Sequence, residues 1–345
     1  MTRRSLVMAA AGMALRRERF EEAAGLVEKA AASGDVKAAV LDVRQGKDRF
    51  TRALGEAREA TVFLLASISK PMTVTGVMVL ADRGKLALSD PVRKFIPEFS
   101  GGDRDLITVQ HLLTHTSGLP DMLPENEALR RRHAPLSEFV AAACRTPLLF
   151  RPGAKVSYQS MGILLASEIA QRITSLPFRE FLRREVFVPL GMRETSLGLG
   201  GRRIEDTAQC QVDNKEDWGW NTPYWRDLGA PWGGVHASAA DVSKFLNAFL
   251  RPTGLVLKRE TARAMIANHT EGMSEAWGLG WMLGATLFGR PFLPRAFGHY
   301  GATGTVAWAD QETGVRCVLL TTKPAEQSRA GLLGPVSDLV GQGAR

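Results

Sequence analysis

Cysteine is scarce in this chain, with three in 345 residues: Cys144, Cys210 and Cys317. The number is odd, the spacings are wide and no Cys-x-x-Cys occurs, which disfavours a disulfide framework and a structural zinc site. Each reads as a small, partly buried hydrophobe. Long apolar runs are missing too. The longest near a terminus, Ser5 to Leu15, covers 11 residues, whereas a bilayer-spanning helix takes about 20, so no integral membrane segment is expected. No internal repeat is visible, which argues against solenoids and propellers. Phosphate-binding glycine loops are absent: there is no Gly-x-x-x-x-Gly-Lys-Ser/Thr, and no Gly-x-Gly-x-x-Gly between a strand and a helix. No cofactor is expected. The Gly-x-Ser-x-Gly elbow of α/β-hydrolases is absent as well. His111 and His115 have the i, i+4 spacing of a zinc pair, but Leu112 stands where the zincin motif needs glutamate. Hydrogen bonding near a helix end is the expected role of the pair, and no metal site is expected.

Acidic residues are the minority, 36 against 44 Lys and Arg, leaving a formal charge of +8. The excess is scattered. Its densest cluster, Arg130, Arg131 and Arg132 with His133, has no interleaved aromatic to stack bases, so it reads as a solvated loop face and no nucleic-acid partner is expected. The hydrophobic fraction of 45% and charged fraction of 23% are those of a globular chain, long enough to bury a core without staples. At the start, Arg3 and Arg4 precede an apolar stretch, the arrangement of a twin-arginine export signal. That stretch stops at Arg16-Arg17, with no clear small-x-small cleavage site. The same residues read equally well as the start of the helix that follows, leaving periplasm and cytoplasm both open.

Apolar periodicity predicts a helix over Arg16–Ala32, stopped by Gly34, then strands over Val36–Val43, Phe50–Leu54 and Thr61–Leu65. A helix is expected over Ser67–Arg83, with Pro71 tolerable only in its first turn. Prolines 91, 97, 120, 124 and 135 punctuate a middle region of short helices, Val109–Leu113 and Leu136–Cys144 among them. Longer helices are expected over Met161–Ile173 and Phe178–Phe187, and a further helix over Ala239–Leu250. Strands return at Trp277–Leu283, Thr303–Ala309 and Val315–Thr321, before a last helix over Gln327–Leu339. Strands at both chain ends around a helical middle predict an α+β fold. One mixed domain (1–85 plus 235–345) is split by an inserted, mainly helical one (86–234), with a site in the cleft between them. The oligomeric state is not legible.

Chemistry concentrates in three places. Ser67-Ile68-Ser69-Lys70 follows an apolar strand and opens an apolar helix, where positions i and i+3 share a face, so the Ser67 hydroxyl and the Lys70 amine can meet. Serine is a poor nucleophile until a base takes its proton. A lysine in an apolar pocket loses solvation and becomes available as that base. Alone, the pattern is equally a helix N-cap followed by a solvated lysine. Second, after the Pro152-Gly153 turn, Tyr158 and Ser160 stand two apart, which places the pair in an irregular turn ahead of a helix. A tyrosine near an ammonium is easier to ionise and suits acid/base work, although a buried tyrosine with a satisfied hydroxyl is the plainer reading. Third, Gly298-His299-Tyr300-Gly301-Ala302-Thr303-Gly304 precedes a strand, and glycines there allow a backbone or ligand to approach closely. His299 alone would pass for a structural histidine.

Together, in this order, these pieces resemble the serine β-lactamase and penicillin-binding protein superfamily, and within it the class C β-lactamase-like (family VIII) carboxylesterases. The resemblance runs from about Leu26 to Thr322. It is supported by Val109-Gln110-His111-Leu112-Leu113-Thr114-His115-Thr116-Ser117-Gly118-Leu119-Pro120, by Trp232-Gly233-Gly234 and by Trp277-Gly278-Leu279-Gly280-Trp281. It implies an antiparallel sheet flanked by helices, with an inserted helical domain. It also implies Ser67 as acylated nucleophile, Lys70 as its partner and Tyr158 as general base and acid. The backbone N–H groups of Ser67 and Ala302 would form the oxyanion hole. Ser160, His299, Tyr300 and Gly301 would line the substrate site. Two departures stand out: His299 replaces the usual lysine of the third motif, and Ser160 the usual asparagine of the second. Histidine is mostly neutral at pH 7 and gains charge on acidification. Both departures favour a small-molecule ester or amide over a penicillin. A short-chain carboxylesterase is expected, with a β-lactamase, a D-amino-acid peptidase or amidase, or a non-catalytic binding domain as alternatives.

Overall fold

The computed structural model describes residues 3–213, 215–284 and 293–344. Helix α1 (Arg3–Ala32) leads into the hairpin β1 (Ala38–Gln45) and β2 (Asp48–Gly55), closed by the two-residue turn at Gly46 and Lys47, where Gly46 takes φ +60°. Its N-terminal part carries the segment in which an export signal or a helix start was expected, and that backbone is helical. A two-residue strand β3 (Phe63–Leu64) precedes α2 (Ser69–Asp82). The middle contributes α3 (Val109–Leu113), α4 (Asn126–Arg131), α5 (Leu136–Arg145), α6 (Met161–Thr174), α7 (Phe178–Leu182), β4 (Ser196–Leu197) and α8 (Pro223–Leu228). Then come β5 (Val235–Ala237), α9 (Ala239–Leu250), α10 (Arg259–Met265), β6 (Met282–Leu283), β7 (Ala296–Gly301), β8 (Thr305–Asp310), β9 (Val315–Thr321), α11 (Ala325–Ser328) and α12 (Gly334–Gly343).

The main sheet is antiparallel with order β2-β1-β9-β8-β7-β6. It joins the two ends of the chain, with Val40 of β1 opposite Leu320 of β9. Period-2 alternation assigns its faces. Ala39, Leu41, Val43, Cys317 and Leu319 pack with Phe20, Val27, Val336 and Val340 of α1 and α12. Ala38, Val40, Val318 and Leu320 face the larger core with α2 and α9. Both faces are covered, which is why these strands carry so little exposed surface. A small sheet, β3-β5-β4, ties the residues before Ser67 to the loop that ends at Val235. Among the described residues no helix is long and apolar enough to cross a membrane.

Several elements differ from expectation, among them the helix expected over Phe178–Phe187, which is α-helical only to Leu182, and the unexpected strand β7. The helix expected to open at Ser67 opens with a 3-10 turn, Ala66–Ile68, and becomes α-helical only at Ser69. Pro71 sits in that first α-turn, where its missing N–H breaks no intrahelical bond. The expected strand Trp277–Leu283 shrinks to β6. Gly280 takes φ +76°, and the Gly278 N–H bonds back to the Trp281 carbonyl (2.9 Å), so the segment turns on itself. The last helix runs as α11, a wide turn over Arg329–Leu333, and α12. Pro335 cannot donate to the carbonyl one turn earlier, which opens the helix there.

Candidate active site

Ser67 lies in the 3-10 turn between β3 and α2, preceded by Ala66 at φ +47°. That left-handed conformation costs about 1–3 kcal/mol in a residue with a Cβ. Neighbours hold it in place. The Thr303 hydroxyl donates to the Leu64 carbonyl (2.6 Å) and the Thr305 hydroxyl to the Leu65 carbonyl (2.9 Å). A Cβ on Gly301 would stand 2.1 Å from that same Leu65 oxygen, so only glycine lets β7 approach so closely. The turn from β7 to β8 is thereby clamped against the residues before Ser67, which brings exposed Ala302 to its rim.

Lys70, one turn on, is buried among apolar residues of α2. Its Nζ reaches Ser67 Oγ and the Trp232 carbonyl, both at 3.1 Å. The Thr73 hydroxyl donates to the Pro231 carbonyl (2.6 Å), and the Val235 N–H donates to Ser69 Oγ (2.9 Å). Three polar side chains on one face of α2 therefore hold the 231–235 segment. Burial lowers the Lys70 pKa to about 7, against an opposing pull from the Asp121 carboxylate.

Tyr158 and Ser160 lie in an irregular turn whose end, Ser160, immediately precedes α6 without capping it through its side chain. The turn is held by the stretch after α3: the Ser157 N–H donates to the His115 carbonyl (2.8 Å), the Gln159 N–H to His115 Nδ1 (3.2 Å) and the Ser160 N–H to the Asp121 carbonyl (3.3 Å). His115 itself takes φ +61°. Lys70 Nζ stands 4.6 Å from the centre of the Tyr158 ring, and the Ser67 side chain acts on the phenol. His115 (4.9 Å), Trp277 (5.8 Å) and His299 (6.0 Å) complete the wall around the ring.

The expectation that the amine would ease Tyr158 ionisation is overturned. Burial pushes its pKa well above 10, with only the Ser67 side chain pulling downward. The amine lies over the ring face and loses its own charge near neutrality, so it lends the oxygen little support. The expectation that His299 charges on mild acidification also fails. Its ring is buried, its Nδ1 lies 2.7 Å from the Tyr300 carbonyl, and burial followed by the nearby Lys70 lowers its pKa to about 3. His115 is likewise held well below 6.5, first by burial and then by Lys70.

The sequence-predicted residues Ser67, Lys70 and Tyr158 converge, with His299 against Tyr158 and Gly301 against Leu65. Tyr300 turns instead to Arg329, whose Nη1 donates to its hydroxyl (2.9 Å) and whose guanidinium carbon stands 4.3 Å from its ring centre. Ser160 donates to Asp121 Oδ1 (2.6 Å). His111 and His115 do not form a pair: His111 Nδ1 accepts the Thr108 N–H at the start of α3, while His115 faces Tyr158. Sequence reasoning gave no role to Asp121, Trp277, Arg329 or the Trp232 carbonyl, and gave His115 only the hydrogen bonding near a helix end that its Nδ1 makes with the Gln159 N–H. Apart from Arg329, these lie in or just after segments that carried the resemblance, but their roles depend on contacts across the chain.

A family model described as Beta-lactamase matches residues 24–340. The chain is 29% identical to Esterase EstB of Burkholderia gladioli over 88% of each chain. Its fold is shared by EstCE1, described as a hydrolase with promiscuous acyltransferase activity, with a TM-score of 0.77 at 19% identity over 98% of this chain and 99% of that one. The D-amino acid amidase of Ochrobactrum anthropi SV3 gives a TM-score of 0.77 at 22% identity, over 94% of this chain and 98% of that one.

Proposed function

The chain belongs to the Beta-lactamase family of β-lactamase-fold hydrolases, and from that premise we propose that it cleaves short-chain carboxylic esters through an acyl-enzyme on Ser67. The cleft lies between the sheet-bearing segments (1–85, 235–345) and the helical insertion (86–234). The observation that carries the reading is a buried amine with a pKa near 7, 3.1 Å from the hydroxyl it would activate. Neutral Lys70 takes the Ser67 proton as Oγ attacks the ester carbonyl carbon. The oxyanion is met by the backbone N–H groups of Ser67 and Ala302. Tyr158, a neutral phenol, is a proton donor within reach of Ser67. It protonates the departing alkoxide and recovers a proton from Lys70, leaving the acyl group on Oγ. Water then repeats the sequence against the acyl carbonyl, giving the acid and free Ser67.

The preference for esters over penicillins is supported by His299, a neutral ring where a fixed cation would pair with a substrate carboxylate. One observation favours a second reading: Arg329 sets a guanidinium on Tyr300, the next residue of the same motif. It would serve a carboxylate-bearing β-lactam or D-peptide. Turnover of a chromogenic cephalosporin against a chromogenic short-chain ester separates the two, and the ester should be faster. A fluorophosphonate should leave one adduct, on the Ser67 peptide; an adduct on Ser69 or Ser160 would overturn the assignment.

A further inference from the structure

Ser160 and Asp121 together change what the helical wall of the cleft offers a substrate. The Ser160 hydroxyl is committed to Asp121 Oδ1 at 2.6 Å, and its backbone N–H is tied to the Asp121 carbonyl at 3.3 Å. The side chain that a longer amide would extend toward the acyl group is thus short and already occupied. Beside it stands a carboxylate, partly exposed. Its partner Ser160 stands two residues from Tyr158, and its field raises the pKa of both Lys70 and Tyr158. Among the described residues no lysine or arginine forms an ion pair with it.

We propose that Asp121 makes the acyl side of this cleft a subsite for a free ammonium, so that the preferred esters or amides carry an amino group α to the scissile carbonyl. This rests on the serine-hydrolase reading and narrows its substrate class. An ionised carboxylate only accepts hydrogen bonds. It matches the three donors of an ammonium and repels the carbonyl oxygen of an acylamino group. Charge points the same way. The state competent for attack has Lys70 neutral, and His115 and His299 stay neutral beside it. Among the described residues no cation then pairs with the carboxylate on this wall, and a substrate ammonium supplies a counter-charge. Arg329, a cation at the third motif, is engaged with Tyr300.

The test compares benzyl alaninate, as each enantiomer, with benzyl isobutyrate, in which a methyl group replaces the ammonium at nearly equal volume. The full-length protein is assayed at pH 7. The wild type should favour the better alaninate by about 10- to 100-fold in kcat/KM, the scale of one charge-assisted hydrogen bond. In Asp121→Asn that ratio should fall to about one or below. Any effect transmitted through Lys70 acts on both esters and cancels in the ratio, so a purely structural role for Asp121 would leave the ratio unchanged. A wild-type ratio of one or less, or a ratio that survives in Asp121→Asn, would overturn the proposal. A second measurement needs no variant: 1-aminoethylboronic acid should inhibit the wild type at least about tenfold more tightly than isopropylboronic acid, and equal inhibition would overturn it. If neither ester is cleaved and neither boronic acid binds, the serine-hydrolase reading itself fails.

Discussion

The start of α2 and the strand β7 face each other across Ser67, and burial does opposite things to their basic groups. At Lys70 it brings an amine from 10.5 to about 7, into the range where it can trade protons at physiological pH. At His299 it takes an imidazole from 6.5 to about 3, out of that range. The same desolvation therefore makes the lysine a working base and the histidine a permanently neutral wall. Which group can serve as a base depends on where its unperturbed pKa begins. On this basis Lys70, and not His299, is the base that trades protons with Tyr158.

The comparison breaks most visibly under substitutions at the α2 end. Ser67→Ala should lower kcat by about 10⁴-fold or more and abolish fluorophosphonate labelling. Lys70→Ala and Tyr158→Phe should each cost at least about 10²-fold in kcat. Their combination should cost far less than the product of the two, because both handle one proton; a multiplicative double mutant would argue against a shared path. Lys70→Met should be inactive yet melt a few degrees higher at pH 6. There, below the native pKa of about 7, the wild type buries a charged amine. The unfolded chain holds that proton up to about 10.5, so wild-type stability should rise with pH between the two values and the advantage of the variant should shrink. A variant melting below wild type at pH 6 would contradict this. Gly301→Ala tests the β7 side, because its Cβ must displace β7 from the Leu65 carbonyl. A loss of about 1–3 kcal/mol in denaturant unfolding is expected, with reduced acylation. The smallest effect is expected from His299→Gln, which should leave the acid limb of the pH–rate profile unshifted; a displaced limb would show that the histidine titrates in catalysis.

The regular parts of this molecule were legible from pattern alone. Val109–Leu113 and Ala239–Leu250 are helices and Val315–Thr321 is a strand within the bounds that periodicity set, because each buries its apolar face as its spacing dictates. Ser67 and Lys70 were legible because i, i+3 geometry is local. Ala66 and His115 were not, because left-handed φ at a non-glycine residue is imposed by neighbours distant in sequence. The Tyr158 protonation state was misjudged for a related reason. Its sign depends on whether the amine lies at the hydroxyl or over the ring, and only the fold decides that. Asp121 carried no signal of its own, since its hydrogen bond to Ser160 spans 39 residues.

The most direct test of Lys70 as the titrating base is the pH dependence of Ser67 acylation by a non-ionising fluorophosphonate, followed by mass spectrometry from pH 5 to 10. The second-order rate constant should rise through a single ionisation near pH 7 and then stay level through pH 9, because Tyr158 keeps its proton throughout. In Lys70→Ala the step should vanish. A rate that is flat across pH 7, or one that rises only above pH 9, would contradict the account.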